Sequence, residues 1–310
     1  MKRLDEIAMV NSSKKRLSIR ELSEREFFYG HKACPGCGGS LAVRLALKVL
    51  GERSYAVVPA GCMSAVGFIF PQMGFACNAI ISTFPGTASM LSGVAAGARA
   101  LGLENVHAVG FAGDGGTADI GFQALSGAID RHDKIIYICY DNEAYMNTGV
   151  QKSSLTPVGA RTTTSPVGQR LRGAVTRKKP MFEIVAAHGI DYAATASVGY
   201  PMDFVRKVEH ASRVDGTSYI HVFAPCPTGW GHETSETIAV AKDAVDCGLL
   251  YLAEYVDSRF FLNHDPGEFA SVREYLLRQG RFRHLNEEEV LSVTVQRDAG
   301  WERIRREWKS

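Results

Sequence analysis

The sequence predicts an α/β fold, a parallel sheet with helices on both faces, followed by a C-terminal helical extension. Three observations carry this. From about residue 30 to 255, short apolar runs alternate with helical patterns, the order produced when crossover helices cover a parallel sheet. Two apolar runs, 106–112 and 135–140, read as buried strands separated by a helical stretch. The first of them runs into a turn with glycines at 113, 115 and 116.

Taken in order, residues 1–29 are polar and charged with little periodicity and are expected to form an arm that wraps a partner. The α/β domain is expected over 30–255, with strands at 55–59, 78–82, 106–112, 135–140, 192–196 and 217–223. Helices are expected at 39–50, 88–101, 118–131, 181–188, 201–213 and 234–255. Helix 88–101 is rich in Ala, Gly and Ser, which permits close packing on a sheet or another subunit. The stretch 142–180 is dense in Thr, Ser, Gly, Pro, Arg and Lys. Structureless stretches of that length are functional or disordered, and this one is expected to be an ordered site loop. Residues 256–310 turn charged and, over 287–308, helical in pattern, as a peripheral extension would.

Composition narrows the function. With 310 residues, 45% of them hydrophobic, the chain can bury one large core or two modest ones. A net charge of +2 with no long basic run argues against a nucleic-acid partner. No apolar stretch reaches the roughly 18 residues of a membrane span. The opening Met-Lys-Arg-Leu-Asp-Glu lacks the apolar core of a secretory signal, so a cytoplasmic place is expected. The seven cysteines are an odd number and do not suggest a disulfide framework.

The sharpest chemistry lies between Asp114 and Asn142, 28 residues apart. If two parallel strands end side by side, both side chains can point into one small volume. A carboxylate, an amide oxygen and nearby backbone carbonyls form an oxygen-only set suited to Mg2+. Glycines beside them let backbone N–H groups approach a phosphate. The pattern reads as a metal-bridged diphosphate site. A dinucleotide site would want Gly-x-Gly-x-x-Gly directly after its first strand, which this turn does not supply.

A second constellation is Cys34-Pro-Gly-Cys37-Gly-Gly ahead of a helix, with Cys62 and Cys226 further along. Local N–H groups and the helix dipole favour anionic sulfur at such an N-terminus. A redox pair, a four-ligand structural zinc and an iron–sulfur cubane all remain open on spacing alone. Cys139 in an apolar strand and Cys247 on an apolar helix face read as small core residues. Cys77 competes for a ligand role.

The Gly-Asp-Gly opening at 113–115 and the closing Asn142 resemble the diphosphate motif of thiamine-diphosphate enzymes. Asp141-Asn142-Glu143-Ala144-Tyr145-Met146-Asn147-Thr148-Gly149 and the Thr-Pro-x-Gly-Ala stretch at 156–160 look like the β subunit of pyruvate:ferredoxin oxidoreductase. The resemblance runs from about Gly30 to Trp230, roughly two thirds of the chain.

That resemblance implies a thiamine diphosphate-binding fold. It makes Asp114, the Asn142 side chain and the Ala144 carbonyl the Mg2+ ligands, with Gly113, Gly115 and Gly116 cradling the diphosphate. It implies one 4Fe–4S cluster on Cys34, Cys37, Cys62 and Cys226, the last within Pro225-Cys226-Pro227-Thr228-Gly229-Trp230. Asn147 and Thr148 would reach toward substrate, against a turn-capping role. The implied partners are an α subunit carrying the pyrimidine-activating Glu, a ferredoxin-like subunit with further clusters, and ferredoxin. Asp119 is read as a helix N-terminal acid, and Arg172, Arg177, Lys178 and Lys179 as a solvated face, with contact to coenzyme A or an acidic ferredoxin the alternative.

The activity implied is oxidative decarboxylation of a small 2-oxoacid. Met146-Asn147-Thr148-Gly149 looks like the pyruvate branch, which uses coenzyme A. Phe84-Pro85-Gly86-Thr87 and Gly61-Cys62 depart from that branch's common pattern and leave room for oxalate, which needs no coenzyme A. A non-redox thiamine decarboxylase or lyase with structural zinc, and a non-catalytic scaffold, are the competing functions.

Overall fold

In the computed structural model, residues 17–309 are described. Residues 1–16 of the expected arm lie outside the described residues. An eight-stranded sheet has the order β10-β9-β7-β8-β6-β5-β1-β4. Its strands are β1 (Ser54–Pro59), β4 (Asn78–Ser82), β5 (His107–Gly113), β6 (Ile135–Asp141), β7 (Tyr192–Ser197), β8 (Thr217–Phe223), β9 (Leu252–Val256) and β10 (Arg259–His264). The six strands from β7 to β4 pair in parallel, and β9 and β10 add an antiparallel hairpin at one edge. Two short strands, β2 (Phe68–Ile69) and β3 (Gln72–Met73), form a separate ribbon.

β6 shows why the sequence folds this way. All seven of its residues are buried. Ile136, Ile138 and Tyr140 enter one core cluster, and Ile135, Tyr137 and Cys139 enter the other. That period of two is what a strand covered on both faces requires. Helices α1 (Gly38–Leu50) and α7 (Pro201–Ala211) contribute Val43, Leu47, Phe204 and Val208 to the first cluster. Helices α3 (Thr87–Ala100), α5 (Phe122–Asp130) and α6 (Met181–Ala187) contribute Leu91, Leu125 and Val185 to the second. The remaining helices are α2 (Cys62–Gly67), α4 (Asp114–Ala118), α8 (Pro227–Trp230), α9 (Thr237–Asp246), α10 (Val272–Leu277) and α11 (Glu287–Lys309).

Three expectations change. The helix expected over 234–255 stops at Asp246; Gly248, at φ 76°, turns the chain, and Leu252–Val256 becomes strand β9. The hairpin it forms with β10 spans the expected boundary at 255, so the sheet continues into the segment read as a peripheral extension. Phe27 and Phe28, assigned to the arm, are core residues, and Phe28 bridges to Phe75. Among the described residues no helix is long and apolar enough to cross a membrane.

Candidate cofactor site

Adjacent strands β8, β6, β5 and β1 present their carboxyl ends side by side. Cys62 begins α2 after β1, Asp114 begins α4 after β5, Asn142 follows β6, and Cys226 lies three residues beyond β8. Open α/β sheets bind ligands in the crevice at this edge.

Asp114 is 2% exposed. Burial, reinforced by Asp141, pushes its carboxyl well above the usual range, against a hydrogen bond from the Ser153 hydroxyl and the charge of Lys178. One end of the Asn142 amide lies 2.8 Å from the Ala144 carbonyl oxygen and 3.1 Å from Asp114 Oδ1. An amide nitrogen there donates to both acceptors. A half-turn of the amide instead brings a third oxygen toward the other two. Asp114, Asn142 and Ala144 therefore fit a hard, oxygen-seeking cation.

The glycines serve space rather than unusual φ. The stretch expected as a turn is the short helix α4, and Gly113, Gly115 and Gly116 are not among the positive-φ residues. A Cβ on Gly115 would lie 2.2 Å from the Tyr145 ring, and one on Gly116 3.2 Å from Phe84. These two rings meet edge to face at 5.9 Å.

Around this set lies a buried charge network that the sequence reading missed. Lys178 Nζ is 2.5 Å from Asp141 and 2.7 Å from Glu143. Burial alone would lower the Lys178 pKa, but the two carboxylates overcome it and hold the ammonium above its usual range. His221 Nε2 lies 2.8 Å from Asp141. Burial would raise Asp141, yet Lys178 and His221 hold it well below the usual carboxylate range. Arg281 reaches Glu143 at 2.5 Å and stacks 3.6 Å from the centroid of Trp230, whose indole N–H donates to the Asn142 carbonyl.

The solvated-face expectation is thus corrected at two positions. Lys178 neutralises buried carboxylates and Lys179 Nζ donates to the Ala118 carbonyl. Arg172 is exposed and pairs with Glu289 at 2.7 Å. Arg177 is exposed. Asp119 is corrected too: it follows the last residue of α4 instead of opening a helix, and accepts from Tyr145 Oη at 2.7 Å and Ser154 N at 3.2 Å.

Cys34, Cys37, Cys62 and Cys226 lie near enough that the charges of Cys34 and Cys37 reach both Cys62 and Cys226. Cys37 caps α1 and Cys226 caps α8, each thiol accepting a backbone N–H at 3.4 Å. Gly38 N donates to the Pro225 carbonyl at 3.1 Å, and a Cβ on Gly38 would lie 2.8 Å from that oxygen, so only glycine permits this approach. Thr237 Oγ1 ties Gly36 to α9 at 2.6 Å. Burial, then Cys226, Cys37, Asp114 and Cys34, push the Cys62 thiol up to about 12. Burial, with Cys37 and Cys34 adding, likewise takes Cys226 to about 11. Among the described residues no three His, Cys, Asp or Glu side chains close on a single metal ion. Cys77 stands apart, raised to about 11 by burial alone.

Asn147 and Thr148 lie on the exposed rim of the loop. Thr148 Oγ1 donates to Gln151 Oε1, closing a local turn.

A mostly parallel sheet with a buried carboxylate and amide at adjacent strand ends is the arrangement of thiamine-dependent enzymes, and residues 59–222 match the family model described as thiamine pyrophosphate enzyme, C-terminal TPP binding domain. Pyruvate synthase subunit PorB of Methanothermobacter thermautotrophicus is 46% identical over 286 residues, covering 92% of this chain and 99% of that one. Ketoisovalerate oxidoreductase subunit VorB of Pyrococcus horikoshii is 44% identical, covering 94% and 96%. The chain belongs to the β subunits of the 2-oxoacid:ferredoxin oxidoreductases, a family of enzymes. A solved 2-oxoglutarate:ferredoxin oxidoreductase from Magnetococcus marinus shares the fold, with a TM-score of 0.55 at 20% identity, over 69% of this chain and 72% of that one.

Proposed function

We propose that this chain is the thiamine diphosphate-binding β subunit of a complex that oxidatively decarboxylates a small 2-oxoacid and passes the electrons through a 4Fe–4S cluster toward ferredoxin. The observation that carries the reading is the gathering of Asp114, Asn142 and Ala144 at the sheet edge that also gathers Cys34, Cys37, Cys62 and Cys226. The coenzyme, when bound, supplies an electron sink for loss of CO2. Asp114 and the two neutral oxygens would hold its diphosphate through Mg2+, and Gly113, Gly115 and Gly116 would admit it against the first turn of α4. A cubane takes one thiolate per iron, the number these four cysteines supply. Asn147 and Thr148, on the exposed loop beside this set, would face the substrate.

Pyruvate is the favoured substrate, on the Asn147-Thr148-Gly149 element and the 46% identity to a pyruvate synthase subunit; branched 2-oxoacids and oxalate belong in the same test. An α subunit supplying a pyrimidine-activating glutamate and a ferredoxin-like subunit would complete the complex. The open β4 edge, with Ile80 and Ile81 exposed, and the small-residue face of α3 offer the α subunit a surface. Seven unpaired thiols suit a reducing, cytoplasmic setting.

The test is anaerobic purification of the native complex, with iron, labile sulfide, Mg2+ and thiamine analysis. A dye-reduction panel of pyruvate, 2-oxoisovalerate, 2-oxoglutarate and oxalate, each with and without coenzyme A, goes beside it. Iron and thiamine together with 2-oxoacid-dependent dye reduction are expected. One zinc without iron or sulfide would point instead to a non-redox lyase.

A further inference from the structure

Glu143 stands between Asn142 and Ala144, the two residues whose oxygens face Asp114. It is not glycine, yet its φ is +66°. A left-handed conformation at such a residue persists only when its surroundings over-determine it, and here every polar group of the residue is held. Its N–H donates to Asp141 Oδ1 at 2.9 Å, and its carbonyl accepts from Thr156 Oγ1 at 2.7 Å. Its two carboxylate oxygens accept from Lys178 at 2.7 Å and Arg281 at 2.5 Å. The clamps are fixed in turn, Lys178 by Asp141 at 2.5 Å, and Arg281 by stacking on Trp230 and by Gln279 at 3.0 Å.

We propose that Glu143 is a positioning residue for the cation: its doubly clamped carboxylate sets the twist that turns the Asn142 amide and the Ala144 carbonyl together toward Asp114. The inference rests on the cation role proposed for those three residues. Both Glu143 carboxylate oxygens are engaged, by Lys178 and Arg281, and Glu143 is not itself one of the proposed ligands. Its influence passes through the backbone on either side. Half of its clamp comes from Arg281, more than 130 residues away in the chain.

The experiment measures thiamine diphosphate binding to the assembled complex by calorimetry across a series of Mg2+ concentrations. Wild type is compared with Glu143→Gly, Glu143→Ala and Glu143→Gln. Glycine relieves the φ requirement but abandons the clamp, alanine keeps the φ requirement and loses the clamp, and glutamine keeps length and reach. Glycine and alanine are expected to weaken the apparent Mg2+ affinity by about 10–100-fold, as loss of a ligand's supporting shell does, with binding recovered at saturating Mg2+. Glutamine is expected to lose less. A purely structural role would lower the thermal midpoint while leaving the Mg2+ dependence of the folded complex unchanged, and that result overturns the proposal. Should the first two variants fail to assemble, Glu143→Gln and Arg281→Lys carry the same comparison, with unchanged Mg2+ dependence in both again the overturning result. Wild-type complex that binds no coenzyme with Mg2+ would instead bring down the proposed function itself.

Discussion

The indole N–H of Trp230 donates to the main-chain carbonyl of Asn142 at 2.7 Å. Trp230 ends the same short helix that Cys226 caps, and its own N–H returns to the Cys226 carbonyl at 2.9 Å. One side chain thus fastens the loop of Cys226 to the loop of Asn142. Trp230→Phe keeps a ring beneath Arg281 but leaves the Asn142 carbonyl without this donor. The expected cost is about 1–3 kcal/mol, the penalty for a buried acceptor left unpaired, read by urea unfolding.

Lys178 is the cation shared by two buried carboxylates, Asp141 and Glu143. Lys178→Met leaves Asp141, which is fully buried, with His221 as its remaining side-chain partner. Removing one partner of a buried pair costs about 3–5 kcal/mol, and denaturant unfolding should show a loss of that size. Arg177→Met, one residue earlier on the exposed side, should change stability by less than about 0.5 kcal/mol. Equal effects from the two would refute the buried-network assignment.

Cys226→Ser should strip most iron and labile sulfide from the anaerobically purified complex. Cys77→Ser is the matched control, because Cys77 is half-buried and its thiol is shifted by desolvation without any contribution from the other thiols. Iron retained in the first, or lost in the second, would require a different ligand set.

Acid stability should have a local contributor. Glu26 accepts from Arg44 at 2.8 and 2.6 Å and lies 2.9 Å from Lys48. Its hydrogen bond to Arg44, opposed by desolvation, lowers its pKa from 4.5 to about 2. A depressed carboxylate contributes fully above its unfolded value and loses that contribution as pH falls through the folded one. The window is therefore pH 4.5 down to 2. The pair is partly solvated, so its worth is about 1 kcal/mol. Glu26→Gln should flatten the unfolding free energy against pH across that window and leave the slope above pH 5 unchanged.

Much of this was legible in the sequence. The strands at 78–82 and 217–223 have their expected limits because their apolar runs are bounded by polar or glycine-bearing segments. Asp114 and Asn142 meet because neighbouring parallel strands end level, which a 28-residue strand–helix–strand spacing already implies. Cys226 was not legible from spacing, since nothing in a chain of this length says which strand end returns to Cys34. The Pro-Cys-Pro-Thr-Gly-Trp segment supplied it. Lys178 was misread because Arg-Lys-Lys in a polar stretch looks solvated. The available hint was Asp141 at the end of an apolar strand, a carboxylate that burial obliges to find a counter-charge. β9 was hidden by running a helix through Gly248, whose left-handed conformation just past Asp246 is an ordinary helix stop. Arg281 gave no local signal.

Cys62, Asp114, Asn142 and Cys226 leave four consecutive strands of one sheet. The interval between the sulfur-bearing and oxygen-bearing ends is thereby ruled by strand pitch, about 4.8 Å per step, over which loop length has no leverage.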